Sequence, residues 1–262
     1  MATPTLYVHL IDDPTQPPVL DGDRGIVVSE VCRKARQAVP IESRHREAFM
    51  AAAADLRERL PITSALFSKE SLHEIWDALD ILMFQSTPSN TDAQRCRGVS
   101  GWYNNGIDQP MKLAPFVELY ILPGHEARTP AAATHELGHF IRARAVWKEG
   151  TKPFIYKAYE EGLCENLVER EIGKGHVLHD VPLSYQDLIK LQTQLLRSVK
   201  DIEGSQAHED FTLEGYRLGY YVVNDLIKNG HTLEDLFVLP LLNTQEIMLE
   251  GCRLLIDRSA ST

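Results

Sequence analysis

The segment His135-Glu136-Leu137-Gly138-His139 has the residue types and the spacing of a metal-dependent hydrolase. Residues four apart on a helix lie on one face, so the imidazoles of His135 and His139 can bind the same metal ion. Glu136 would lie about 100° around that helix from His135, where its carboxylate can reach a water molecule on the ion without being a ligand. Because one helix supplies two ligands and a general base in zinc hydrolases, the segment predicts one Zn2+ per chain.

A helix over 129–147 is predicted to carry this motif near its middle. Thr129 offers a hydroxyl for the N-cap, and Pro130 suits the first helical position, where no intrahelical amide bond is lost. Alanines and apolar residues follow and favour a helix. Pro153 lies beyond its end and cannot continue it. The sequence therefore places both histidines on one continuous helix.

A second helix, predicted over 156–172, offers the missing ligand. A catalytic zinc needs three protein ligands and one open position. Glu161 is predicted as the third ligand, with a solvent-exposed helix face as the alternative. Glu165 lies one turn later and is predicted to accept a hydrogen bond from a liganding imidazole, with a surface position as the alternative. Cys164 is expected to be a small core residue.

These helices resemble those of the gluzincin group of metallopeptidases, since HELGH is followed by the helical segment E-E-G-L-C-E-N-L. Together with the Gly-Tyr-Arg-Leu-Gly-Tyr segment at 215–220, they are also similar to a bacterial family of predicted zinc-dependent proteases. The resemblance covers residues 97–250 and is strongest in the two helices. It implies a zincin-like fold, with Glu161 as a zinc ligand and Glu165 outside the ligand set. Cys164 departs from it, because a small residue such as alanine is expected there.

The predicted chemistry is hydrolysis of an amide bond. Zinc lowers the pKa of its bound water toward neutrality, and Glu136 would take the proton and pass it to the leaving nitrogen. The oxyanion then needs a hydrogen-bond donor besides the metal. Tyr216 is the first candidate for this donor and Tyr220 the second, with ordinary core positions as the alternative for both.

A strand predicted over 116–122 suggests the kind of substrate. As an edge strand beside the metal helix, its residues Leu119, Tyr120 and Ile121 would hold an extended chain by backbone pairing. This favours a peptide or protein substrate.

The sequence is also compatible with two other functions. The same zinc site could hydrolyse a non-peptide amide or an ester. The zinc could instead be structural, in a sensor or regulatory module whose four-ligand site Cys164 completes. In a peptidase, the N-terminal region could also occlude the cleft until a partner or a cleavage removes it.

Composition and charge narrow the class of protein. A net charge of −10 and no basic tract argue against a nucleic-acid partner. No apolar run is long enough to span a bilayer, and the N-terminus lacks the pattern of a secretory signal, so no membrane partner is expected. Four cysteines without close pairing fit a reducing compartment. We therefore expect a cytoplasmic enzyme, and no pattern indicates its oligomeric state.

The predicted fold class is α+β, zincin-like and helix-rich, with a small sheet before the metal helix. The sequence suggests an N-terminal α/β region, 1–95, and a catalytic domain with C-terminal helices, 96–262. The other predicted elements are strands at 6–11 and 98–103, a strand at 25–28 or a helix at 29–38, and helices at 42–59, 69–84, 184–202, 208–229 and 244–257, with a short one from Thr232. The strand at 98–103 is expected to pair with 116–122.

Overall fold

The structure, a computed structural model, describes residues 5–18, 22–35, 37–65, 78–104, 115–146, 153–202 and 213–260. The chain forms two compact units, Met1–Arg144 and Ala145–Thr262. The boundary suggested by the sequence, between residues 95 and 96, lies inside the first unit, whose sheet pairs strands from both sides of it. Within the described ranges, no helix is both long enough and apolar enough to cross a bilayer.

The first unit is built from strands and helices that mostly alternate along the chain. Its strands are β1 (Thr5–Leu10), β2 (Ala38–Val39), β3 (Ala78–Ser86), β4 (Val99–Asn104) and β5 (Phe116–Ile121). Its helices are α1 (Gly22–Lys34), α2 (Arg46–Ala65), α3 (Thr91–Arg95) and α4 (Thr129–Ala145). A short 3-10 turn, Glu126–Arg128, runs directly into α4. Thr129 is consequently the first residue of α4 and not its N-cap, because the chain is already helical before it.

These strands form one mixed sheet in the order β1-β3-β5-β4, with β2 beside the end of β3. The pairs β1–β3 and β3–β5 are parallel, whereas β4 runs antiparallel to β5. A buried apolar cluster joins α1 to residues of β3 and β5, comprising Ile11, Val28, Val31, Cys32, Ala35, Leu82, Phe84, Phe116 and Tyr120. The helix-rich composition and the small sheet match the predicted α+β class.

The prediction of a helix over 69–84 is wrong for its second half, because residues 78–86 form β3. Residues 69–77 lie outside the described part of the chain. An almost unbroken apolar run such as Leu79–Phe84 suits a strand buried on both faces, yet it also contains positions at helical spacing. All but the first residue of β3 are buried, which is the environment of a central strand. Upstream, the predicted strand at 25–28 is wrong, because these residues belong to α1. The alternative helix at 29–38 is confirmed for residues 29–34, although α1 begins earlier, at Gly22.

The prediction that residues 119–122 belong to an edge strand is also wrong. β5 pairs with β3 on one side and with β4 on the other over its whole length. Leu119, Tyr120 and Ile121 are buried, and their backbone groups are used inside the sheet. These three residues therefore cannot hold a peptide by backbone pairing. The predicted antiparallel pairing of β4 with β5 is confirmed, and it leaves β4 at the edge of the described sheet.

The second unit is helical in its described residues. Its helices are α5 (Phe154–Glu171), α6 (Tyr185–Ile202), α7 (Leu213–Lys228), α8 (Leu233–Phe237) and α9 (Leu241–Ser259), and a 3-10 turn covers Lys174–His176. The predicted helices at 156–172 and 184–202 and the short helix after Thr232 are confirmed. α7 lies inside the predicted 208–229, of which 208–212 are outside the described residues. The last helix begins earlier than predicted, and Thr244 lies within it.

A contact between two glycines brings α5 and α7 close together. A Cβ atom on Gly162 would lie 2.2 Å from the backbone carbonyl of Gly219. A Cβ atom on Gly219 would lie 1.8 Å from the carbonyl oxygen of Ala158. No side chain fits at either distance, so only glycine allows the helix backbones to approach this far.

Candidate metal centre

The two histidines of α4 lie one turn apart, as their spacing predicts. Their ring centroids are 5.1 Å apart and the ring planes meet at 68°. Both side chains are half-buried. The opposite side of α4 is apolar and buried, through residues such as Leu137 and Phe140. This apolar side fixes the rotation of the helix, and the rotation in turn determines where the imidazoles point.

The described residues contain one group of side chains that could hold a metal ion, His135, His139 and Cys164. The ligand atoms of these three side chains all lie within 4.8 Å of one another. Imidazole nitrogen and thiolate sulfur are both zinc ligands, so the donor set fits Zn2+. Cys164 had been expected to be a core residue, and it is indeed fully buried. The signal that could have identified it is its position three residues after Glu161, on the same side of α5.

Glu136 lies against the edge strand β4. Only 7% of its surface is exposed. A Cβ atom placed on Gly101 would lie 2.6 Å from both Cγ and Oε1 of Glu136, so the carboxylate occupies the space that a side chain at position 101 would fill. Gly101 was not among the residues predicted for the site. A glycine inside a strand often marks a close approach, and this was the signal available in the sequence.

The same face of β4 also contacts His139, one of the candidate metal ligands, through Tyr103. The ring of Tyr103 is nearly parallel to that of His139, at 9°, with 6.4 Å between the centroids. It also meets Phe140 edge-on, at 6.3 Å and 68°. Alternate residues of a strand share a face, so Gly101 and Tyr103 both point toward α4. One short strand thus contacts both Glu136 and His139.

The hydrogen-bond pattern shows which backbone groups of β4 point outward. The amide of Leu122 donates to the carbonyl of Gly98 at 2.8 Å, so these two residues form a hydrogen-bonded pair. Such pairs alternate with non-hydrogen-bonded ones along antiparallel strands. The next hydrogen-bonded pair is therefore at position 100. Gly101, one residue further along, occupies a non-hydrogen-bonded position, so its amide and carbonyl point away from β5. Among the described strands, none pairs with this outer side of β4.

The carboxylates predicted on α5 are both buried. Glu161 is 5% exposed and Glu165 is 1% exposed, so neither lies on a solvent-exposed helix face. One oxygen of Glu165 accepts a hydrogen bond from the backbone amide of Leu178 at 2.8 Å. The roles of Glu161 as a ligand and of Glu165 as a partner of a liganding imidazole stay predictions.

The two tyrosines predicted as oxyanion donors lie in different surroundings on α7. Tyr220 is buried, and its hydroxyl donates to Glu169 at 2.6 Å. Burial, with this carboxylate as the next cause, raises the pKa of Tyr220 well above its usual value. Asn224 donates to the same carboxylate, which places Tyr220 in a polar network between α5 and α7. Tyr216 is half-buried, with its ring centroid 4.6 Å from that of His179.

No protein-family model matches the chain, and no curated protein or solved structure matches it either. The predicted resemblance to gluzincins therefore rests on motifs alone, namely the HExxH segment of α4 and the acidic segment of α5, and it stays a prediction. An assignment of function must come from the chemistry of these residues and of β4.

Proposed function

We propose that this protein is a zinc-dependent metallopeptidase with a zincin-like fold. The observation that carries the proposal is the position of Glu136, buried between the histidine-bearing helix α4 and the edge strand β4. A general base must lie beside the metal ligands and also beside the place where the substrate binds. Glu136 lies on the helix that carries the two proposed histidine ligands and against β4, the strand proposed to bind the substrate.

The proposed zinc ligands are His135, His139 and Glu161. The two imidazoles belong to the group of side chains that could hold a metal ion. Glu161 is buried on the side of α5 that also carries Cys164, the third member of that group. A carboxylate oxygen is, like an imidazole nitrogen, an ordinary ligand of catalytic zinc. Three ligands would leave the open position that catalysis requires.

The proposed reaction is hydrolysis of a peptide bond. Bound zinc would supply a Lewis acid that polarises the carbonyl and lowers the pKa of the attacking water. Glu136 takes one proton from that water as the new C–O bond forms at the carbonyl carbon. It then passes this proton to the nitrogen as the C–N bond breaks, which yields a carboxylic acid and an amine. Tyr216 is proposed to donate a hydrogen bond to the oxygen that becomes negative.

The proposed substrate is an extended peptide that pairs with β4. This replaces the prediction that residues 119–121 bind the peptide, since β5 is an inner strand. The outward-pointing amide and carbonyl of Gly101 suit backbone pairing, which any peptide can make. Trp102 lies on the opposite face of β4 and is 58% exposed, so it can pack against a substrate side chain. These features favour peptides over small amides or esters.

The test compares purified wild-type protein with the Glu136→Gln variant. Both should contain one zinc per chain by elemental analysis, because Glu136 is not a ligand. A mixture of peptides, analysed by mass spectrometry, should be cleaved by the wild type and at least about 100-fold more slowly by the variant. Equal cleavage by both proteins would refute the mechanism, and zinc-loaded wild type that cleaves no peptide would refute the function.

A second candidate function, a zinc-binding regulatory module without catalysis, is favoured by one observation. Cys164 lies among the potential metal ligands, and a fourth protein ligand would close the site. Cys164→Ser separates the two proposals. A structural site would lose most of its zinc in this variant, whereas the peptidase would keep both its zinc and its activity.

A further inference from the structure

We infer that Gly101 is a positioning residue for the general base, because the absence of a side chain at this point of β4 lets Glu136 keep its reactive position. The inference rests on the proposed function, in which Glu136 accepts the proton. It adds a residue of the edge strand that neither binds the metal nor takes part in proton transfer.

A side chain at position 101 would fit only if Glu136 moved. A Cβ atom there would lie 2.6 Å from Cγ, 2.6 Å from Oε1 and 2.9 Å from Cδ of Glu136. Carbon atoms in van der Waals contact are about 3.5–4.0 Å apart. These three nearest atoms all belong to one side chain, and none is a backbone atom of α4. The closest conflict created by a methyl group would therefore be with the Glu136 side chain.

The side chain of Glu136 is also the part of this contact that can move most easily. β4 is held by its continuous pairing with β5 from Val99↔Ile121 to Asn104↔Phe116. On the same strand face, Tyr103 is packed against His139 and Phe140. A glutamate side chain, in contrast, can rotate about several single bonds. A methyl group at position 101 should consequently displace the carboxylate and leave the strand and the histidines in place.

The expected consequence is a loss of turnover without a loss of metal. A misplacement of a catalytic group by about 1 Å can lower a rate on the order of 100-fold. Gly101→Ala should therefore lower kcat by at least about tenfold, whereas KM changes less because backbone pairing of the substrate does not need a side chain at this position. Zinc content should equal that of the wild type, because the three atoms nearest to the new methyl group all belong to Glu136, which is not a proposed ligand.

The experiment is a double-mutant cycle of wild type, Gly101→Ala, Glu136→Gln and the double variant, assayed with the peptides that the wild type cleaves. If Gly101 acts through Glu136, adding Gly101→Ala to Glu136→Gln should cause no further loss. Gly175→Ala is the matched control, since nothing lies within 4 Å of a Cβ atom there, and it should be as active as the wild type. A crystal structure of zinc-loaded Gly101→Ala should show the carboxylate of residue 136 displaced.

Full activity of Gly101→Ala with the carboxylate in its wild-type place would overturn the inference and leave the peptidase intact. An equal additional loss in the Glu136→Gln background would also overturn it, because the strand itself would then be damaged. Absence of cleavage by the wild type would instead refute the proposed function, and the inference would fail with it. If Gly101→Ala does not fold, adding Glu136→Ala should restore folding, since it removes every atom of the conflict. Continued misfolding would count against the inference.

Discussion

Tyr103 stacks on His139, with ring planes 9° apart and centroids separated by 6.4 Å. The strand that carries Tyr103 also supplies Gly101, which lies against Glu136. One edge strand thus contacts a proposed zinc ligand and the proposed general base. In the peptidase that we propose, β4 would bind the peptide and would also fix the positions of His139 and Glu136 relative to it.

The stacking predicts that Tyr103 affects zinc binding through its ring and not through its hydroxyl. Tyr103→Ala should weaken zinc affinity several-fold, because an aromatic pair contributes about 0.5–1.5 kcal/mol and the imidazole of His139 would be less well oriented. Tyr103→Phe keeps the ring and should bind zinc as the wild type does. Competition with a chelator of known affinity measures both variants. A larger loss in Tyr103→Phe than in Tyr103→Ala would contradict the prediction.

The proposed ligand set predicts a ranking of zinc affinities. His135→Ala and His139→Ala should abolish stoichiometric zinc, because two remaining ligands do not hold the metal well. Glu161→Gln should weaken binding strongly, since an amide oxygen is a poorer donor than a carboxylate.

Two neighbours of Glu161 on α5 serve as controls for this ranking. Glu165→Gln should lower zinc affinity less than Glu161→Gln does, on the order of 10–100-fold, which is typical for loss of a residue that is hydrogen-bonded to a metal ligand. Cys164→Ser should keep its zinc. Elemental analysis after dialysis measures the zinc that each variant retains. A larger loss of zinc in Cys164→Ser than in Glu161→Gln would show that the thiol is the third ligand.

The two tyrosines of α7 should respond differently to loss of the hydroxyl. Tyr220→Phe removes the donor to Glu169 and should cost about 1–3 kcal/mol of stability, because the hydrogen bond is made to a charged acceptor. Tyr216→Phe should lower kcat and leave KM and stability nearly unchanged, if its hydroxyl acts only on the developing oxyanion. Thermal unfolding and steady-state kinetics of both variants test this. A Tyr216→Phe variant with wild-type kcat would exclude the proposed donor.

Pairing of the substrate with β4 predicts two effects on binding. Trp102→Ala should raise KM, because the exposed indole is proposed to pack against a substrate side chain. It should change kcat little, because the indole lies on the strand face opposite Gly101 and therefore away from Glu136. N-methylation of one backbone amide in a good substrate should also raise KM if that amide pairs with the strand. Trp102→Phe, which keeps an aromatic side chain, serves as the control for the first measurement. Unchanged KM in Trp102→Ala and for every N-methylated peptide would argue against binding along this edge.

The sequence by itself determined the two helices that carry the proposed zinc ligands. Their signals are local, since the spacing of His135 and His139, the proline in the first turn of α4 and Gly173 after α5 act within a few residues. The structure has α4 over Thr129–Ala145 and α5 over Phe154–Glu171, close to the predicted ranges. The pairing of β4 with β5 was also accessible, because these strands are neighbours in the chain.

Only the tertiary structure decided what lies beside those helices. β3 was predicted as a helix, because a continuous apolar run does not reveal whether it will be covered on both faces. Whether β5 or β4 is the edge strand depends on β3, which approaches from a distant part of the chain. For the same reason, the contact of Gly101 with Glu136 could not be predicted, as it joins residues 35 positions apart through packing and not through any local propensity. Local bonding specifies helices, but the neighbours of a catalytic group follow from which elements share a buried surface.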